Sequence, residues 1–156
     1  MAHVQDVAAY ILEKLGPMSA MKLQKLCYFS YGYHLAWEDR QLFPERFQAW
    51  ANGPVSPPLY KMHRGRFTLS PGDIVGKPGD LDAGEQESVN LVLAGYGSFT
   101  AHQLSEMTHA KGPWVDARRR AKAADFERSD EELGDEEIFE FFDTLISADA
   151  DAAPEA

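Results

Sequence analysis

One cysteine, Cys27, is all the thiol in 156 residues. An intramolecular disulfide is excluded, no CxxC pair opens a zinc site, and a lone thiol inside an apolar stretch suits a reducing cytoplasm, where the chain is expected to act. Long apolar runs are missing too. Nothing approaches the roughly 20 residues that a membrane-crossing helix needs. The N-terminal MAHVQDVAAYILEKLG is amphipathic, not a charged region followed by an apolar block, so a soluble chain without a signal peptide or membrane partner is expected. The histidines, His3, His34, His63, His102 and His109, include no pair three or four apart, so no metal is expected. Positive charge is nearly absent from residues 125–156, which hold one arginine against 13 Asp and Glu, whereas residues 1–124 hold 14 Lys and Arg against 12. With a net charge of −10, the chain is a poor match for a phosphate backbone, and nucleic acid is not expected as a partner. The acidic end reads as a solvated segment, or as one that engages a basic partner or folds back on Arg118, Arg119, Arg120 and Lys122.

Aromatics, by contrast, are plentiful, and they are densest between Met21 and Tyr60. Leu23, Leu26, Ser30, Tyr33 and Trp37 recur at helical spacing, while Cys27, Phe29, Tyr31 and Leu35 widen the apolar surface beyond one stripe. This predicts a central, largely buried helix over about 19–38. Phe47 to Ala51 is a short apolar piece, the one place where a short β element is expected. Asn52-Gly53-Pro54 follows as a turn, and Ser56 is placed to cap a short helix begun by Pro57 and Pro58 that ends near Gly65.

Around this centre the other helices are set by their stripes. Val4, Val7, Ala8, Ile11, Leu12 and Leu15 define a first helix that Gly16-Pro17 stops. Residues 65–84 are rich in Gly and Pro and carry no apolar period, which predicts a long, flexible surface loop. Asp82 and Glu85 have capping-box spacing before Val89, Val92, Leu93 and Tyr96; Thr100 and Gln103 repeat it before Leu104 and Met107. Pro113 restarts the chain after Gly112, with Trp114 and Ala117 expected inside and Arg118, Arg119 and Arg120 nearer solvent. Ile138, Phe141, Phe142 and Leu145 define a last helix over 136–147. The expected fold is mainly α, a compact single-domain helical bundle over residues 1–147, with 148–156 a disordered acidic tail.

The stretch Met21-Lys22-Leu23-Gln24-Lys25-Leu26-Cys27-Tyr28-Phe29, then Gln48-Ala49-Trp50 and Asn52-Gly53-Pro54-Val55-Ser56-Pro57-Pro58-Leu59-Tyr60, resembles the signature of the Panacea domain. This is the SocA-like antitoxin family, also found in phage-associated proteins. Leu104-Ser105-Glu106-Met107-Thr108-His109 with Pro113-Trp114 is similar to its second block. The resemblance implies a helical antitoxin that neutralises a toxin encoded beside it, by direct protein–protein binding or by delivering it to an ATP-dependent protease. A DNA-binding autorepressor is a further alternative, for which only the Arg118 to Lys122 cluster speaks. Of the shared residues, Leu23, Gln24, Lys25, Leu26, Tyr28, Trp50, Gly53, Pro54, His109 and Trp114 read as structural, with His109 a buried or capping hydrogen-bond donor.

The residues themselves offer little catalytic chemistry. Cys27 and His34 are the obvious nucleophile and base, but seven helical residues separate their backbones by roughly 10 Å along the axis. Neither an enzyme nor a cofactor is expected. A binding protein instead needs roughly 800 Å² of surface anchored by a few Trp, Tyr or Arg side chains. Tyr31, Tyr60, Arg64 and Arg66 around the Asn52-Gly53-Pro54 turn are the first candidates, and Arg118 and Arg119 the second.

Overall fold

The computed structural model describes residues 2–152 and is mainly α, with short β elements. Helix α2 (Ala20–Glu38) runs through its centre. Ser19 caps it, its Oγ accepting from the Lys22 amide at 3.1 Å, while the Lys22 ammonium leaves the helix to reach the Gly97 carbonyl at 2.6 Å. Fourteen of the 19 residues of α2 are buried, because α1 (Val4–Leu15), α4 (Ala83–Tyr96), α5 (Ala101–His109) and α7 (Asp135–Ala152) enclose it on successive sides. A helix covered all round has no polar face to preserve, which is why its aromatics spread beyond one stripe. Tyr28, Phe29 and Tyr33 pack edge-on against Phe142 of α7, and Phe29 stacks on Tyr96 of α4. Gly32 lets α7 come this close: a methyl group there would overlap the Phe142 ring.

Strands β2 (Gln48–Trp50) and β3 (Gly53–Val55) form an antiparallel hairpin in which Ala49 faces Pro54. A second pair joins β1 (Met18–Ser19), at the expected start of the central helix, with β4 (Thr68–Leu69), inside the expected loop. Two-residue strands carry no alternation to read. The same holds for the rest of residues 65–84, where Leu69, Ile74 and Leu81 are buried singly rather than as a stripe, and Asp6 of α1 accepts from the Lys77 amide at 2.7 Å. The short helix α3 (Pro57–His63) and helix α6 (Pro113–Arg120) flank the hairpin. Both capping boxes form, at Asp82 with Glu85 and at Thr100 with Gln103.

The C-terminal third departs most from expectation. Residues 148–152, expected as the start of a disordered tail, continue α7; alanine, the strongest helix former, alternates through this stretch. The remainder of that expected tail lies outside the described residues. Before α7, the chain passes along the outer edge of β2 as a third strand-like segment. The Ala49 amide donates to the Glu131 carbonyl at 2.8 Å and the Leu133 amide to the Phe47 carbonyl at 2.9 Å, so the edge is covered. Among the described residues, no helix is long and apolar enough to cross a membrane.

Candidate functional site

The turn between β2 and α3 is fastened to α2 by two neighbouring side chains. The Gln24 carboxamide accepts from the Ser56 amide at 2.9 Å and donates to the Ser56 carbonyl at 3.2 Å. Its nitrogen also meets His63 Nε2 at 3.1 Å. Lys25 is fully buried, and its ammonium donates to the Pro54 carbonyl at 3.2 Å. Burial alone lowers its pKa to about 7. Gly53, at φ +128, is needed on two counts: few side chains tolerate that backbone, and a Cβ would stand 2.5 Å from Lys25 Cε. Leu23 and Leu26 lie in the core beside this lock, and Tyr28 packs between Phe47 and Phe142.

On the other face of the hairpin, Trp114 Nε1 donates to the Trp50 carbonyl at 2.7 Å, and His109 stacks on the Trp114 ring with centroids 4.2 Å apart. His109 is exposed, not the buried or capping donor expected, because it closes the end of α5 over an indole rather than entering the core. Arg118 is a clearer correction. It lies four residues after Trp114, hence on the same helix face, and is buried rather than solvent-facing. Its guanidinium donates to the carbonyls of Ala49, Ala124 and Glu127 at 2.9, 2.8 and 2.6 Å, tying β2 to the loop that follows α6. Arg120 donates to Glu131 and Glu137 carboxylates and to the Glu132 carbonyl, so part of the acidic stretch does fold back on the basic cluster.

Of the expected partner-binding residues, Tyr31 is also buried: its hydroxyl donates to Asp135 at 2.6 Å, and its ring packs on Phe43 and Phe47. Arg64 and Arg119 are exposed, the latter 3.9 Å from Asp116, and Arg66 is exposed but drawn towards Asp73. Tyr60 is half-buried and sets its ring edge-on to Trp50, with centroids 4.8 Å apart.

Trp50 and Tyr60 form one wall of a cleft of about 400 Å³, completed by Met21, Asn52, Val55, Phe126 and Arg128. Phe126 is 88% exposed and has a left-handed backbone, φ +66. The Arg128 guanidinium stands 5.9 Å from the Trp50 ring centre. The sequence reading missed both residues, since neither belongs to a stripe; the one available signal was a lone base in an acidic stretch. The catalytic candidates lie elsewhere. Cys27 is fully buried, with burial pushing its thiol pKa up, and His34 sets Nδ1 2.7 Å from Ser88 Oγ, not against the cysteine. Burial, then Arg40, lowers the His34 pKa to about 4. Among the described residues, no cluster of three His, Cys, Asp or Glu side chains could hold a metal.

Comparison with known proteins covers most of these features. The Antitoxin SocA of Caulobacter vibrioides (strain NA1000 / CB15N) is 32% identical over 126 residues, an alignment that takes in 69% of this chain and 66% of that protein. The chain thus spans just under two thirds of the length of that relative. No solved structure gives a significant match. Residues 23–115 match the family described as Antitoxin SocA-like, Panacea domain, a span that holds the whole hairpin lock and Trp114 and stops short of Phe126 and Arg128. The match covers more than half of the chain, which therefore belongs to the SocA-like antitoxin family of Panacea domain proteins.

Proposed function

We propose that this chain is an antitoxin that neutralises a cognate toxin by stoichiometric protein–protein binding, and that the toxin seats on the cleft between the hairpin, α3 and residues 126–128. The observation that carries this is the Trp50, Tyr60 and Phe126 cluster. Aromatic surface beside the family's own motif is left open to solvent, where Trp, Tyr and Arg are the side chains that anchor interfaces. Arg64 lies one turn beyond Tyr60 and extends the same face. The toxin's identity is set by the neighbouring reading frame.

The test is co-expression of the chain with the product of that neighbouring frame, followed by size exclusion of the purified pair. Growth rescue with a co-eluting complex is expected, and Trp50→Ala or Tyr60→Ala should weaken binding by at least about tenfold, the scale of an interface hot spot. Rescue with no complex and no loss on either substitution would overturn the reading.

A proteolytic adaptor is the second reading, and one observation favours it. Phe67 and Val75, 81% and 87% exposed, lie on the 65–77 segment as apolar side chains with nothing to cover them, which suits a second docking surface. Falling toxin levels during rescue, abolished by Phe67→Ser with Val75→Ser, would mark this mode. The autorepressor reading draws no support from the arginine cluster, two of whose members are engaged within the chain.

A further inference from the structure

The cleft carries a charge pattern of its own. Its lining residues include no carboxylate and one cation, Arg128. That arginine is the single base among residues 125–156, which hold 13 acids, yet it has no carboxylate within ion-pair distance among the described residues. Arg120, just before this stretch, takes up Glu131 and Glu137 instead. Arg128 therefore rests beside an indole with its planar fork unmatched, although acids are abundant in its own segment.

Its neighbours are uncompensated in the same way. Phe126 combines a left-handed backbone, unusual for a bulky residue, with almost complete exposure of the ring. Exposure of the ring is unfavourable in the free chain and is relieved once an apolar group covers it. The side-chain amide of Asn52, whose backbone carbonyl accepts from Ser105, and the Tyr60 hydroxyl, at the opposite wall, have no hydrogen-bond partner among the described residues.

We infer that the cleft receives a protein segment in which an Asp or Glu stands beside a large apolar side chain, the carboxylate pairing with Arg128 and the apolar group packing between Trp50, Tyr60 and Phe126. This rests on the reading of the cleft as the toxin-binding face. One guanidinium fits a single planar carboxylate bidentately, whereas a polyanion would meet one cation and a chain of net charge −10. The same net charge limits the acidic part of the partner to the short segment that enters the cleft.

The experiment is a selection of random twelve-residue peptides displayed on phage against the full chain, with the best consensus remade as a fluorescent peptide for anisotropy. Enriched peptides are expected to place Asp or Glu within two positions of Leu, Ile, Phe or Trp. Arg128→Glu should weaken the consensus peptide at least tenfold and Phe126→Ala about fivefold. Lys14→Glu, which makes the same charge change on α1, should leave binding unchanged. A peptide with Lys in place of the acid should prefer the Arg128→Glu variant. Circular dichroism melts of the variants, expected to match the parent because the Arg128 and Phe126 side chains are exposed, separate loss of the site from loss of the fold. Absence of enrichment, consensus peptides without an acid, indifference to Arg128→Glu, or tighter binding of a single-stranded oligonucleotide at the same residues would each overturn the inference. Toxin neutralisation that survives Arg128→Glu would overturn the cleft as the toxin face and would leave the antitoxin reading standing. An Arg128-dependent acidic peptide alongside a toxin that binds elsewhere would uphold the cleft chemistry and overturn its assignment as the toxin face.

Discussion

Lys25 places an ammonium where the Pro54 carbonyl is its one hydrogen-bond acceptor among the described residues, and its protonation must differ between the folded and unfolded chain. Its folded pKa lies near 7 and its ordinary value is 10.5, so the unfolded chain binds more protons between these limits. Stability should therefore rise with pH from about 7 towards 10, read as a rising urea midpoint, and Lys25→Met should flatten that rise. The opposite sign follows above pH 10, where burial raises the phenols of Tyr28, Tyr31 and Tyr33 and the unfolded chain loses those protons first. On the acid side, His34 and His63 both have lowered pKa values, so stability should fall as pH drops below 6.5. Sequence alone could flag Gln24 and Lys25 only through the family motif. Their partners, Ser56 and Pro54, are 32 and 29 positions away, and no local pattern announces a bond across that distance.

Between elements, α2 and α7 approach closely at Gly32 and Phe142. A methyl group at Gly32 overpacks against a ring that is itself fully buried, so Gly32→Ala should destabilise by about 1–3 kcal/mol. Adding Phe142→Leu should restore part of this loss, giving a double variant more stable by about 1 kcal/mol or more than the sum of the single changes; thermal melts of the four proteins measure it. The arginines of α6 separate in the same way. Arg118→Ala leaves the buried Ala49 carbonyl without this donor and removes two further hydrogen bonds, to the part-buried carbonyls of Ala124 and Glu127, and should cost about 2–4 kcal/mol. Arg120→Ala removes half-exposed ion pairs and should cost less than about 1 kcal/mol. Helices α1, α4 and α5 were legible because stripes, capping boxes and Gly-Pro stops are all local signals. The burial of Arg118 was not, because a basic side chain four residues after an inward tryptophan reads as surface until the carbonyls that need it are in place.

At the scale of the molecule, the helical architecture around α2 was foreseeable from its aromatic density, and the cleft only in half. Trp50 and Tyr60 come from the motif region, whereas Phe126 and Arg128 come from a stretch whose composition suggests nothing but solvation. What brings them together is the covering segment, which adds to the edge of β2 and is fixed there by Arg118 and Arg120. Residues that look like an acidic appendage thus complete both the sheet edge and the candidate binding face.

This arrangement gives the chain an order in time as well as in space. During translation the hairpin and α2 leave the ribosome early, with the β2 edge bare and the aromatic side of α2 around Gly32 uncovered. Neither is closed until residues 131–142 have followed. A chain arrested before that point holds most of the family motif yet presents an open strand and an incomplete binding face, the state most prone to pairing with other nascent chains and to capture by quality-control proteases. Under the function proposed above, only chains synthesised past residue 142 would therefore count towards neutralising capacity.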